Sequence, residues 1–202
     1  MKTTKTLFAL AAALAVQWSA HAADNYTIDP AHTRVGFSVR HLGISNVKGK
    51  FNEFTGTLTL DGDALKGASA TIQVASIDTG VAQRDQHLRT ADFFDATNHP
   101  TMIFKTKQVR KSGQGFTMVG DFTMRGVTKE LRVPVTLSKP IKDPWGNTRI
   151  GLEAKAKLNR KEYGIAYNQL LETGVAAVGE EVELDINAEA IKDTSGKNAP
   201  GK

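Results

Sequence analysis

Residues 33–41 read TRVGFSVRH. Val35, Phe37, Val39 and His41 fall on one face of an extended chain, and Arg34, Ser38 and Arg40 on the other, the period-2 pattern of a half-buried strand. Working outward, the chain reverses after His41-Leu42-Gly43, and Val47, Gly49 and Phe51 begin a second strand. Its inward set resumes three positions later with Phe54, Gly56, Leu58 and Leu60, so a bulge is predicted near Asn52-Glu53. Asp61-Gly62-Asp63 is a turn signal, and Ala68, Ala70, Ile72 and Val74 make a third strand. Met102, Phe104 and Thr106 open a fourth, turned at Lys111-Ser112-Gly113. Phe116, Met118, Gly120, Phe122 and Met124 alternate through a fifth. After Arg125-Gly126, Leu131, Val133, Val135 and Leu137 mark a sixth, in which Pro134, lacking an N–H, calls for an edge or a bulge. A loop over residues 140–147 carries Trp145. Ile150, Leu152, Ala154, Ala156 and Leu158 form the seventh strand and Val182, Leu184, Ile186 and Ala188 the eighth. Residues 161–179 are ambiguous, with a short helix expected near Tyr167 to Glu172.

Eight alternating strands in meander order with short turns predict an all-β fold, an eight-stranded antiparallel up-and-down barrel with one or two short helices. Closure removes exposed edges, and eight strands enclose a space that side chains fill or that holds one small ligand. The inward set mixes large residues (Phe37, Phe104, Phe116, Phe122) with small ones (Ala68, Ala70, Gly120, Ala154, Ala156). Room along one side, and with it a long, thin apolar cavity, is the expectation.

The N-terminus predicts export. Lys2 and Lys5, the apolar run Leu7 to Val16 and the small-x-small site Ala20-His21-Ala22 read as a signal peptide over 1–22. The barrel domain is then 23–191, followed by a polar, flexible tail over 192–202. Ten apolar residues are too few to span a bilayer, which takes about 20, so a soluble mature protein is expected, with at most peripheral membrane contact. There is no Cys, hence no disulfide and no thiol chemistry. Removing Lys2 and Lys5 takes the formal charge from +5 to +3. That charge is spread without runs, which argues against a nucleic-acid partner.

One stretch breaks the alternation: residues 83–100, QRDQHLRTADFFDATNHP. The spacing of Val81, Leu88 and Ala91 suits a short helix. Asp85, His87, Asp92 and Asp95 are candidates for acid–base work. The simpler assignment puts Asp85 near a helix start and has Asp92 and Asp95 cap backbone amides. No Gly-x-Ser-x-Gly elbow, Cys nucleophile or glycine-rich phosphate loop occurs, so no catalytic residue is assigned. His32, His41, His87 and His99 lack local metal-ligand spacing, so no metal and no cofactor is expected. Of Phe93 and Phe94, one ring is expected to plug the barrel core and the other to face the cavity or a partner subunit. His41 belongs at the barrel mouth, held by the turn or touching a ligand.

The whole mature chain resembles the YceI-like, polyisoprenoid-binding proteins of bacterial periplasms. The resemblance is carried by Tyr26-x-Ile28-Asp29-x-x-His32-x-x-Val35-x-Phe37-x-Val39-x-His41, then Gly49-x-Phe51, then Asp85-x-His87-Leu88-Arg89-x-x-Asp92-Phe93-Phe94-Asp95 with Pro100 and Phe104. Gly120-Asp121-Phe122-Thr123, Gly126-Val127-Thr128 and Arg160-x-x-Tyr163-Gly164-Ile165 complete it. It implies an extended lipocalin-like barrel in the periplasm, binding or carrying a long-chain isoprenoid or similar amphiphilic lipid with its polar head near the mouth. It also implies a homodimer as an open expectation, and supplies no catalytic residue. The cavity candidates are Val35, Phe37, Val39, His41, Phe54, Phe93, Phe94, Phe104, Phe116, Phe122 and Ile150. Two alternatives stand beside this: an enzyme acting on such a lipid at Asp85, His87 and Asp92, or a stress-related structural module whose core is filled by its own side chains.

Overall fold

A computed structural model describes residues 23–170, 174 and 176–194. The expected signal peptide, Leu171 and Glu172 of the expected second helix, and most of the expected tail lie outside these residues. The strands are β1 (Asp24–His41), β2 (Ser45–Phe51), β3 (Phe54–Asp61), β4 (Ala64–Gln73), β5 (Ile77–Asp78), β6 (Thr101–Ser112), β7 (Gly115–Met124), β8 (Val127–Leu137), β9 (Ile141–Lys142), β10 (Thr148–Asn159) and β11 (Val178–Lys192). One α-helix, α1 (Ala82–Leu88), lies between β5 and β6, and 3-10 turns occupy Val74–Ser76 and Arg160–Tyr163.

Every pairing is antiparallel, in the order β11-β10-β8-β7-β6-β4-β3-β1, and β1 pairs with β11 to close the ring. The result is the expected eight-stranded barrel with short additions. β2 and β3 form one interrupted wall strand: β2 pairs with β1 through Val35↔Phe51, and β3 through Asp24↔Leu60. The break falls at Asn52-Glu53, where Asn52 N donates to Ser76 O and Glu53 O accepts from Gln73 N. Pro134 sits where a ladder stops, because β8 pairs with β10 only from Leu137↔Leu152 to Val135↔Ala154.

Three local expectations are corrected. The first strand begins at Asp24, nine residues before the strict alternation. Pro30 and a register shift between Asp29 and Arg34 interrupt its period, while Tyr26 to Asp29 still pair with β11. The helical turn placed near Tyr167 to Glu172 lies instead at Arg160–Tyr163; residues 167–169 are irregular and Leu170 forms an isolated bridge with Ala176. Asp92 and Asp95 turn their carboxylates to side chains rather than backbone amides. Asp92 Oδ2 lies 2.8 Å from His87 Nε2, and both Asp95 oxygens accept from Asn98 Nδ2 at 3.0 Å.

The excursion between β5 and β6 is pinned by local polar contacts. The buried Asp85 carboxylate accepts from Thr79 N (2.9 Å) and Thr79 Oγ1 (2.5 Å). Arg89 donates to the carbonyls of Ala75 and Ile77, tying the end of α1 to the segment before it. With the segment held, Leu88, Phe93 and Phe94 pack against the barrel.

One end of the barrel is filled. Tyr26, Leu60, Leu65, Ile150 and Ala190 are each 3% exposed or less there. Such close packing leaves no room for a ligand. The open volume lies above this layer.

Candidate functional site

An apolar cavity of about 210 Å³ occupies the barrel above the filled end. On β11 its lining runs from Val178 to Ala188, ten residue steps or about 33 Å of extended chain. Its walls differ. Inward-facing Met102, Phe104, Phe122, Met124, Leu131, Val133, Leu152, Ala154, Ala156 and Leu158, on β6, β7, β8 and β10, are all buried. On the other four strands Leu58, Ile72 and Ala188 are buried too, but Ile28, Val35, Phe37, Phe54, Ala68, Ala70, Leu184 and Ile186 are only half-buried. Side chains that point into a closed barrel and still keep exposed surface border the most open space, so the void is widest along β11, β1, β3 and β4, with the closely covered wall of β6, β7, β8 and β10 across from them.

This corrects the expectation that the small residues share one side. Ala68 and Ala70 on β4 are half-buried beside the void, whereas Ala154 and Ala156 on β10, four strands away either way round the ring, line it as almost fully covered members of the packed wall. Gly120 opens no room either. A Cβ there would lie 2.5 Å from Lys105 O and 2.9 Å from the Phe104 ring, so the glycine is the seat of that ring. Gly49 does the same for Phe37.

Of the eleven candidate residues, Val35, Phe37, Val39, Phe54, Phe93, Phe94, Phe104 and Phe122 line the cavity. Three do not. Ile150 belongs to the filled end, Phe116 sits half-buried opposite Val135 near that end, and His41 lies on the rim between Ser45 and Val178. Both rings border the cavity, Phe93 as a buried member of the core and Phe94 only partly buried against it. Phe94 packs edge-on to Phe51 (5.9 Å), which packs on Phe37 (5.6 Å), and Phe93 packs on Tyr167 (4.7 Å). Aliphatic lining residues on β11, such as Val182, Leu184 and Ile186, carry the same alternation signal as the aromatic candidates.

Among the described residues one charged side chain reaches the lining, and nothing in the alternation marks it. Arg160 is 4% exposed. Its Nε donates to Gly179 O (2.8 Å), Nη1 to Ile165 O (2.7 Å) and Nη2 to Val178 O (3.1 Å). Burial lowers its basicity, and Glu180 acts in the opposite sense. Three carbonyl dipoles around a guanidinium offset much of the cost of burying it. Arg160 thereby ties the 3-10 turn to the start of β11. Arg125, at φ 51° in the β7–β8 turn, plays a similar part by donating to Gly164 O and Ala91 O.

The polar residues of the 83–100 stretch do not converge on one point. Asp85 is held by Thr79, while the His87–Asp92 pair sits apart, with the imidazole edge-on to Phe93 and Tyr167 at 5.1 Å each. Among the described residues no hydroxyl hydrogen-bonds to the His87 ring.

A second cluster braces the outside of the wall. Ligating atoms of Asp29, His32 and Glu189 lie within 4.8 Å of one another. The carboxylates already hold a cation: Arg149 Nη1 donates to Asp29 Oδ2 (2.6 Å) and Glu189 Oε2 (3.1 Å), and Nε to Asp143 Oδ2 (2.8 Å). These bonds hold the Asp29 carboxyl at about 2 and push Asp143 down as well, with Arg149 the largest cause for both. The cluster joins the irregular part of β1 to the β9–β10 hairpin.

The YceI-like domain family matches residues 26–190. A UPF0312 protein of Photorhabdus laumondii is 36% identical over 194 residues, covering 94% of this chain and 98% of its own. Protein YceI of Shigella flexneri is 38% identical over 178 residues, covering 86% and 90%. Among solved structures, the Campylobacter jejuni YCEI protein is 32% identical with a TM-score of 0.66, covering 82% of this chain and 96% of that one. A polyisoprenoid-binding domain from Saccharophagus degradans, 14% identical over 83% of this chain and 98% of that one, shares the fold at a TM-score of 0.60. Sequence likeness and barrel geometry agree over almost the full described length, and this chain belongs to the YceI-like family.

Proposed function

We propose that this protein is a periplasmic binding or carrier protein for a long-chain isoprenoid or similar amphiphilic lipid, held in the barrel cavity. The observation that carries the reading is the void itself: narrow, about 33 Å long measured along β11, and walled almost wholly by apolar side chains. A core filled by its own side chains would leave Val35 and Ile186 as buried as Met102 and Leu152, and they are not. The fold neighbour from Saccharophagus degradans, a polyisoprenoid-binding domain, supports the same class of ligand. The signal-like N-terminus supports export to the periplasm.

Energetics favour a long chain over a short one. Burial contributes about 0.8 kcal/mol per CH₂, so roughly ten methylene equivalents, about 8 kcal/mol, only match the middle of the ~4–15 kcal/mol cost of association. Tight binding therefore takes a tail that fills most of the cavity. Val35, Phe37, Val39, Phe54, Phe94 and the β11 aliphatics contact that tail in this reading, and His41 stands at the rim for a polar head.

The test is lipid extraction and mass spectrometry of protein purified from its own periplasm, followed by uptake of a long-chain polyprenol. A long-chain isoprenoid recovered in near-equimolar amount is expected. Protein that emerges without lipid and takes up no polyprenol defeats the reading, and recovery of a chemically altered lipid would turn it toward catalysis at His87 and Asp92.

A further inference from the structure

The barrel end beyond the cavity's upper limit carries two aliphatic side chains that the fold leaves in water. Ile44, in the turn between β1 and β2, is 79% exposed, and Leu170 is 73% exposed. Their segments are joined through the backbone: Leu42 N donates to Ala177 O (2.8 Å), and Ala177 N donates to Gln169 O (2.8 Å), next to Leu170. Just below the turn, Val39 pairs with Val47 on one side and Val182 on the other, and Val39 and Val182 line the cavity. The apolar rim thus continues the cavity wall.

Charge is distributed unevenly around this rim. From Pro30 to Asn52 the chain carries Arg34, Arg40, Lys48 and Lys50 and no Asp or Glu. Lys48 and Lys50 pair opposite Ser38 and Gly36, which places them on the outer face of the β1–β2 hairpin. Arg40 donates to Gly43 O through Nε (3.1 Å) and Nη2 (2.8 Å), holding its charge at the turn beside Ile44. Of the nearest acids, Asp78 lies 3.8 Å from Lys50. Glu180 is engaged by Lys161, and Glu181 and Glu183 by Lys157, on the far side of β1, where Asp185 also stands opposite Gly36.

We propose that this rim docks the protein onto an anionic phospholipid bilayer, with Ile44 and Leu170 among the headgroups and the β1–β2 cations over the negative surface. An apolar tip flanked by Lys and Arg is the composition that binds the bilayer interface. Basic groups act there within a Debye length, about 8 Å at physiological ionic strength. Docking also turns the upper limit of the cavity toward the bilayer, so a lipid tail passes between the two without crossing water. That consequence rests on the carrier reading; the docking itself does not.

The test sediments lipid-stripped protein with phosphatidylethanolamine–phosphatidylglycerol vesicles and, separately, with phosphatidylcholine vesicles. Salt-sensitive binding to the anionic vesicles is expected. Ile44→Asp should weaken it about tenfold or more, and the Lys48→Glu/Lys50→Glu pair by a similar factor, while both variants keep the wild-type melting temperature and polyprenol uptake. Equal sedimentation with both vesicle types, or Ile44→Asp binding as wild type does, overturns the proposal. So does self-association that Ile44→Asp abolishes in a protein that never binds vesicles, because the rim would then be a contact between two copies. Failure of wild type to take up polyprenol would strike the carrier reading and leave the vesicle result standing.

Discussion

Replacing Ala70 by Phe, with Ala154→Phe as its counterpart, separates the two walls of the barrel. Both positions point inward and both start from a methyl group, but Ala70 is half-buried beside the void, while Ala154 is 3% exposed in the packed wall. At Ala70 the new ring enters space that the protein leaves empty. If it removes roughly 100 Å² of wall from a bound lipid tail, part of the 150–250 Å² an aromatic ring presents, then at about 25 cal/mol per Å² binding weakens by about 2.5 kcal/mol, or roughly 70-fold. The empty protein should melt within about 2 °C of wild type. At Ala154, a lining position already closely covered by its neighbours, the ring must displace them. Overpacking costs about 1–3 kcal/mol, which lowers the melting temperature by about 3–10 °C in a domain of this size. The assay is titration with a fluorescent polyprenol analogue alongside thermal melting of lipid-stripped protein. Equal destabilisation by the two substitutions would refute the assignment of the void to β11, β1, β3 and β4, as would wild-type affinity in Ala70→Phe.

Three further outcomes follow from the same contacts. Gly120→Ala should destabilise the fold by about 1–3 kcal/mol in denaturant melts, because the added Cβ meets a backbone carbonyl that cannot step aside; Gly67→Ala, whose Cβ would meet nothing nearer than Thr106 Cβ at 4.0 Å and whose φ is ordinary, is the control without that clash. Arg160→Met should cost about 3 kcal/mol or more, since the carbonyls of Gly179, Ile165 and Val178 lose their donors. Arg160→Lys, with a single nitrogen, should recover only part of that, and protease cleavage between residues 165 and 179 should rise in both. Asp29, held at about 2 mainly by Arg149, adds stability above its ordinary carboxylate value that is lost as pH falls through 2. Melting temperature should therefore drop between about pH 5 and pH 2 in wild type and drop less steeply in Asp29→Asn.

The apolar rim and the cavity bear on one another through the β1–β2 hairpin. Its inner face supplies Val35, Phe37 and Val39 to the void, and its outer face supplies the basic residues, because successive side chains of a strand point to opposite sides. A substitution on one face is therefore a clean probe of one role. Uptake should follow the inner residues and vesicle binding the outer ones.

The sequence by itself determined the eight-stranded wall, the antiparallel barrel, the break at Asn52-Glu53 and the helical excursion before Thr101. Each is written in the spacing of near neighbours, and period-2 alternation reports which face of a strand meets the core wherever that strand ends up. Only the tertiary structure decided which wall is packed and which borders the void, since Ala70 and Ala154 are indistinguishable until ring closure sets them on opposite sides. It also revealed that Gly120 seats Phe104, that Ile150 and Phe116 lie at or near the filled end, and that Arg160 holds three carbonyls. The Asp29–Arg149 contact joins positions 120 residues apart. No local pattern encodes such a pairing, because it is created by closing the barrel and exists only once β1 and β10 stand on either side of β11.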